Sequence, residues 1–219
     1  MPLDRSYSLK EVIKQLGLIL LLPAIFFIIT SLILEMLGVK NVDSTFVFIL
    51  FQIITYTWFL ALNPRFREYI RDPLCSKVKI RTAAFYIIAG FVLMALTSVL
   101  ILGTGIETNE GQRHLFESSD LRSAVTFQTI IAVIAIGLII PFFEELLFRG
   151  LLFTTLSNKY GAWWALIISS VIFGMLHGGV FIATSIFGLV FGYIFYKTKS
   201  LIPGIILHMI WNSLSVFIT

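Results

Sequence analysis

Seven long apolar runs, separated by short polar segments, leave this chain few folds other than a bundle of membrane helices. The runs cover approximately residues 16–37, 44–62, 82–102, 124–156, 162–177, 180–196 and 201–218. A transmembrane helix needs about 20 mostly apolar residues. Of the 219 residues, 58% are hydrophobic and only 13% are charged, whereas soluble domains average about 25% charged residues. The sequence therefore predicts an all-α, polytopic transmembrane helix bundle of about seven spans.

No linker, internal repeat or low-complexity tract divides these runs. We therefore expect one integral membrane domain over 1–219, with N-terminal spans in 1–123 and the spans that carry polar motifs in 124–219. Such a chain is expected in the plasma membrane, in a bacterium, with membrane lipid as its surroundings.

The basic residues, which give the chain a net charge of +4, lie in the short segments between the apolar runs. Lys and Arg number twelve on the N-terminal side of the predicted membrane and three on the other side, with Arg149 left out. The positive-inside rule therefore places the N-terminus and a loop over 63–81 in the cytoplasm, and the loop 103–122 with His114 outside. Basic residues in this arrangement set topology and do not indicate nucleic-acid binding.

Three ionisable residues interrupt the fourth apolar run: Glu144, Glu145 and Arg149. A charged side chain at the bilayer centre costs about 2.5 to 3.5 kcal/mol, so such residues usually face a bundle interior and serve a function. Glu145 and Arg149 are four residues apart and share a helix face. Glu144 has no partner on its own helix and is a candidate general base. The alternative is a helix end whose charges reach the headgroups.

Two histidines lie in later apolar runs, His177 and His208, and Asn212 follows His208 by one helical turn. A lone membrane histidine or asparagine is often only an interhelical hydrogen bond. If the chain turns near 158–162, Glu144 and His177 are each 14 residues from that turn. They then lie at one depth, about 21 Å from it, within reach of one water. His208 fits less well, because it lies only about 10 Å from the start of its span.

These polar residues form three motifs over residues 141–212: Glu-Glu-x-x-x-Arg from Glu144, Phe-x-x-x-His ending at His177, and His-x-x-x-Asn from His208. In order and spacing they resemble those of the CAAX protease and bacteriocin-processing family of intramembrane proteases. This family is also called the abortive-infection or type II CAAX prenyl endopeptidase family. The first three apolar runs match it only in being apolar.

The resemblance implies that Glu144 activates a water with the assistance of His177. His208 and Asn212 would match the pair that stabilises the oxyanion. Peptide hydrolysis requires such a base and such donors.

The resemblance also implies supporting roles for Glu145 and Arg149, which would hold the site in shape, and for Phe173 of the second motif. The substrate would be a peptide or protein at the membrane, such as a prenylated CAAX tail or a bacteriocin precursor.

A zinc-dependent variant stays open, because Glu144, His177 and His208 could supply three ligands with one open position. The sequence has no His-Glu-x-x-His motif, and its single cysteine, Cys75, excludes a multi-cysteine site. We therefore expect a glutamate mechanism without a cofactor.

Two readings from other functional classes also stay open. One is a non-catalytic membrane protein for bacteriocin immunity or signalling. The other is a proton-coupled transporter, which would use the buried acid and histidines as a relay but predicts two corresponding halves that the sequence does not show.

Overall fold

The computed structural model describes residues 7–39, 44–101, 103–108, 127–177 and 179–218. All regular secondary structure in these ranges is helical, which confirms the predicted all-α class. The helices are α1 (Leu9–Met36), α2 (Ser44–Leu62), α3 (Pro64–Cys75), α4 (Ile80–Ile101), α5 (Phe127–Ile134), α6 (Ile140–Glu145), α7 (Thr154–Tyr160), α8 (Ala162–Met175), α9 (Phe181–Thr198) and α10 (Ile202–Ile218). Two π-helical segments, π1 (Ala135–Ile139) and π2 (Leu146–Phe153), join α5, α6 and α7 into one continuous helical stretch.

Three of these helices, α1, α4 and α9, are long and apolar enough to cross a membrane. A fourth span results if α2 and α3, which are bent by 94° relative to each other, count together. The predicted number of about seven spans is therefore not confirmed within the described residues. One reason is length, because α8 is apolar but has only 14 residues.

The expected loop over 63–81 is wrong in part, because α3 occupies most of it. Asn63 caps this helix by accepting a hydrogen bond from the backbone N–H of Phe66 at 3.0 Å, and Pro64 stands at its first position. Phe66 and Ile70 are buried, whereas the basic residues lie mostly on the other face. Charge composition suggested a loop, but the helical spacing of the apolar residues makes this segment an amphipathic helix.

Helix α3 also contacts the start of α10, which lies beside π2. The backbone N–H of Leu201 donates to the carbonyl of Pro73 at 2.9 Å, and the Ser200 hydroxyl donates to the carbonyl of Ser76 at 3.0 Å. A Cβ on Gly150 would lie 3.5 Å from Leu201, so Leu201 is level with the middle of π2. Glu144 lies six residues before Gly150 and His208 lies seven residues after Leu201, so the two antiparallel helices bring these side chains to similar heights. His208 consequently reaches the depth of Glu144.

The turn predicted near 158–162 is present, and it lies at an end of the bundle rich in aromatic residues. Gly161 ends α7 with a φ of 85°, which only glycine adopts readily. Lys199 lies over the ring of Tyr196 at 4.4 Å, and Trp163 packs on the same ring. Aromatic rings with adjacent lysines are typical of the boundary between lipid and water.

Helices α8 and α9 pack closely because small residues face each other. A Cβ on Gly188 would lie 2.9 Å from the Cα of Ser170, and one on Gly174 would overlap the Ser185 hydroxyl oxygen. Small residues allow membrane helices to approach in this way. The carbonyl of Gly188, at this contact, also accepts a hydrogen bond from Arg149 of π2 at 3.1 Å.

The orientation in the membrane stays a prediction, and cysteine labelling tests it. A cysteine in place of Lys77, in a Cys75→Ser background, should resist a membrane-impermeant reagent applied to intact cells. A cysteine in place of Thr108, on the loop after α4, should react with it. The reverse labelling pattern would show that the orientation in the membrane is opposite to the predicted one. His114, predicted to lie outside, falls beyond the described residues.

Candidate active site

Glu144 and Glu145 are the last two residues of the short helix α6, which lies between π1 and π2. In π1 the N–H of Ile140 donates to the carbonyl of Ala135, five residues earlier. Such π turns are rare and occur frequently at functional sites. The fourth apolar run is thus, in its described part from Phe127 onward, one continuous helical stretch with two changes of helical register. These changes set the direction in which Glu144 and Glu145 project.

Glu145 and Arg149 form a buried ion pair, as their spacing predicts. The Nη1 of Arg149 lies 3.1 Å from the Oε1 of Glu145, and both residues are only 1% exposed. The Nη2 of Arg149 donates to the carbonyl of Gly188 at 3.1 Å. The guanidinium also lies over the rings of Phe173 and Phe191, at 4.6 and 5.2 Å from their centroids. Arg149 therefore joins π2 to α8 and α9.

His208 lies between the two glutamates. Its Nδ1 is 3.1 Å from the Oε1 of Glu145, and its Nε2 is 3.5 Å from the Oε2 of Glu144. The imidazole stacks on the ring of Phe191 at 4.5 Å, and the residue is 3% exposed. The depth mismatch expected for His208 is absent, because α10 begins beside π2.

His177 lies just beyond the end of α8 and approaches Glu144 from the other side. Its Nε2 is 4.0 Å from the Oε1 of Glu144, and its Nδ1 is 2.7 Å from the carbonyl of Phe173. The ring of Phe173 packs on the imidazole at 4.3 Å. The structure thus brings Glu144, His177 and His208 together.

Asn212 is one helical turn from His208, but it hydrogen-bonds to backbone. Its Nδ2 donates to the carbonyl of Ile136, within π1, at 3.2 Å. Helix α10 approaches π1 closely here, because a Cβ on Gly137 would lie 2.8 Å from the hydroxyl of Ser213. The Asn212 amide has a second N–H group that this hydrogen bond does not use.

The hydrogen bonds at the two Nδ1 atoms fix how the histidines face Glu144. A carbonyl and a carboxylate are acceptors, so the Nδ1 of His177 and the Nδ1 of His208 each carry a hydrogen. A neutral imidazole then has an acceptor at Nε2, and both Nε2 atoms face the Glu144 carboxylate. A water molecule has two O–H groups, so it suits a position between the Glu144 carboxylate and the Nε2 of a neutral His177.

The same three residues, Glu144, His177 and His208, include the side-chain types that bind zinc. Fixed Nδ1 atoms and Nε2 atoms turned to a carboxylate would also orient Glu144, His177 and His208 toward a cation. However, among the described residues no group of three His, Cys, Asp or Glu side chains has the geometry of a metal site.

Two polar residues of α2 near this site are absent from the sequence analysis, Gln52 and Tyr56. Gln52 donates from Nε2 to the Tyr56 hydroxyl at 2.9 Å, and the Tyr56 ring lies 4.9 Å from that of Phe143. They are four residues apart in an apolar run, the same signal that selected His208 and Asn212. The signal was present, but neither residue is charged at neutral pH.

Removal of Arg149 should destabilise the fold strongly. Arg149→Ala leaves Glu145 buried without its cation, which typically costs about 3 to 5 kcal/mol. We expect a marked loss of folded yield and of thermal stability in detergent. Arg71→Ala, at an exposed position of α3, is the matched control and should have little effect. Equal stability of the two variants would contradict a structural role for the ion pair.

Comparison with known proteins agrees with the motifs. The family model described as type II CAAX prenyl endopeptidase Rce1-like matches residues 126–214. This range contains all seven residues of the three motifs, so the resemblance drawn from the sequence is confirmed. No curated protein and no solved structure matches the chain.

Proposed function

We propose that this chain, which belongs through residues 126–214 to the type II CAAX prenyl endopeptidase Rce1-like family, is an intramembrane endopeptidase that uses a water activated by Glu144. One observation carries the proposal. The Glu144 carboxylate lies 4.0 Å from the Nε2 of His177 and 3.5 Å from the Nε2 of His208, inside an otherwise apolar bundle.

In the first step, Glu144 and His177 bind and polarise the water. The water donates one hydrogen to the Glu144 carboxylate and the other to the Nε2 of His177. Glu144 takes its proton as the oxygen attacks the peptide carbonyl carbon, which forms the tetrahedral intermediate. General-base assistance of this kind contributes about 10² to 10⁴ in rate.

Charge balance suggests how His208 serves as an oxyanion donor. With Glu144, Glu145 and Arg149 ionised, the cluster has one excess negative charge, and a single shared proton neutralises it. On His208 that proton makes Nε2 a donor, and Glu145 at Nδ1 stabilises the imidazolium. A carboxylate plays this part for histidine in serine proteases.

Asn212 completes the oxyanion site in this proposal. The N–H group that Ile136 does not use is the donor available to the developing oxyanion. Collapse of the intermediate then breaks the C–N bond, and Glu144 returns its proton to the leaving amine. The two products are a carboxylic acid and a free amine.

The substrate class that the family suggests is a prenylated peptide with a C-terminal CAAX sequence. An intramembrane site favours such a substrate, because its lipid chain would place the scissile bond at the bilayer. Bacteriocin precursors are a second peptide class that the same chemistry could process.

Replacement of the proposed base should abolish cleavage without unfolding the protein. Glu144→Gln keeps the shape of the side chain but cannot take a proton from water. The measurement is hydrolysis of a farnesylated fluorogenic CAAX peptide by the purified protein in liposomes. Glu35→Gln, at an exposed position of α1, is the control and should retain activity. Full activity of Glu144→Gln would exclude the proposed mechanism, and inactivity of the unmodified protein would favour a non-catalytic role.

Chelation distinguishes the two hydrolytic mechanisms. We expect cleavage to survive exhaustive treatment with a strong chelator, because the proposed base and donors are all side chains. Asn212→Ala should lower kcat by about 10² to 10³, the loss typical of one oxyanion donor, with little change in KM. Activity that disappears on chelation and returns with zinc would instead support Glu144, His177 and His208 as metal ligands.

A further inference from the structure

Two lysines from distant parts of the sequence meet at the end of the bundle that carries the α9–α10 turn. The Ser200 hydroxyl, in this turn, donates to the carbonyl of Ser76, just after α3, at 3.0 Å. Lys199 directly precedes Ser200, and Lys77 directly follows Ser76. The long, flexible side chains of these two lysines therefore start beside one hydrogen bond, and both are exposed.

A third lysine belongs to the same cluster. The Nζ of Lys199 lies 4.4 Å from the centroid of the Tyr196 ring, and the Nζ of Lys197 lies 5.7 Å from the same centroid. None of the three lysines forms an ion pair with an acidic residue in the described part of the chain. The acidic residues of α3, Glu68 and Asp72, each have an interaction partner. The cluster thus carries positive charge without a paired anion among the described residues.

The dipole of α9 accounts for only part of this arrangement. Cations are favourable near a helix C-terminus, and Lys197 lies in the last turn of α9. This effect falls off beyond the last turn, and Lys77 belongs to a different segment. Like charges that lie close together repel each other, and an anion between them removes the repulsion. Lysine ammonium groups are common ligands of phosphate.

We propose that Lys77, Lys197 and Lys199 bind the headgroup phosphate of an anionic phospholipid. Basic pockets between membrane helices bind lipid headgroups. Trp163 packs on Tyr196 beside this cluster, at 6.3 Å between ring centroids, and aromatic rings with lysines are typical of the boundary between lipid and water. The predicted orientation places this end of the bundle at the cytoplasmic leaflet, whose surface is anionic.

An apolar groove that begins at the residue after Trp163 favours a lipid over a soluble phosphate. The groove has a volume of about 320 Å³ and is lined by Tyr160 of α7 and by Trp164 and Ile168 of α8. The Nζ of Lys159 lies 5.0 Å from the ring of Tyr160, so the groove starts at the basic end. Tyr160 and Trp164 are 45% and 63% exposed. An acyl chain would cover these rings, whereas a free phosphate would leave them exposed.

Native mass spectrometry of the detergent-purified protein tests the proposal without an activity assay. We expect phosphatidylglycerol to bind more tightly than phosphatidylcholine of the same chain length. Lys197→Gln/Lys199→Gln should weaken phosphatidylglycerol binding about 30-fold, because each lysine near an anionic lipid surface contributes about fivefold. Binding of phosphatidylcholine should not change. Equal affinities of the unmodified protein for the two lipids would overturn the proposal.

The matched control separates this cluster from the general positive charge of the protein. Lys10→Gln/Lys14→Gln changes the net charge equally, at exposed positions of α1, and should leave the affinity for phosphatidylglycerol unchanged. Lys77→Gln should lower it about fivefold, because Lys77 is the contribution of the segment after α3. Equal losses in the two double variants would show non-specific attraction and contradict the proposed site.

A competition experiment distinguishes the lipid from a soluble anion. Neither inorganic phosphate nor glycerol phosphate should displace bound phosphatidylglycerol, because neither has an acyl chain. Trp164→Ala should weaken phosphatidylglycerol binding, whereas Trp58→Ala, at an exposed position of α2, should not. Displacement by glycerol phosphate, or equal binding by the Trp164→Ala and Trp58→Ala variants, would overturn the assignment of a phospholipid as the ligand.

Discussion

The buried Glu145 carboxylate needs a cation beside it, and the arrangement of the C-terminal helices depends on this ion pair with Arg149. A charge taken out of water costs several kcal/mol even after the protein relaxes around it. The Nη1 of Arg149 compensates this charge at 3.1 Å from Glu145. Its Nη2 donates a hydrogen bond to the carbonyl of Gly188 in α9. His208 adds a contact from α10. The polar cluster proposed to perform catalysis is therefore also the cluster that holds π2, α9 and α10 together.

Side chains satisfy carbonyl groups of the two π segments inside the bundle. In lipid, every N–H and C=O group must find a partner within the protein. A π turn shifts the register and makes carbonyls available to side chains. Asn212 donates to Ile136 in π1, and the Thr154 hydroxyl donates to the carbonyl of Arg149 in π2 at 3.0 Å. The shifted register also directs the glutamates of α6 toward His177 and His208, so local backbone geometry and site geometry have one cause.

The sequence predicted those parts of the site that depend on local geometry. Helical rise from one shared turn placed Glu144 and His177 at equal depth, and the two side chains meet at 4.0 Å. The depth of His208 could not be predicted in this way, because the start of α10 is set by the contact of Leu201 with Pro73, which is distant in sequence. Pro73 itself lies in α3, a helix whose composition suggested a loop.

The contribution of α2 shows a further limit of sequence patterns. Spacing of four residues shows that Gln52 and Tyr56 share a helix face, just as it does for His208 and Asn212. It does not show which helix that face meets, and a neutral polar pair in a span commonly serves only as an interhelical hydrogen bond. The contact of Tyr56 with Phe143 identifies the partner as α6, at the residue before Glu144. A motif confined to residues 126–214 cannot contain this contact, so the sequence pattern alone does not show which N-terminal helix packs against α6.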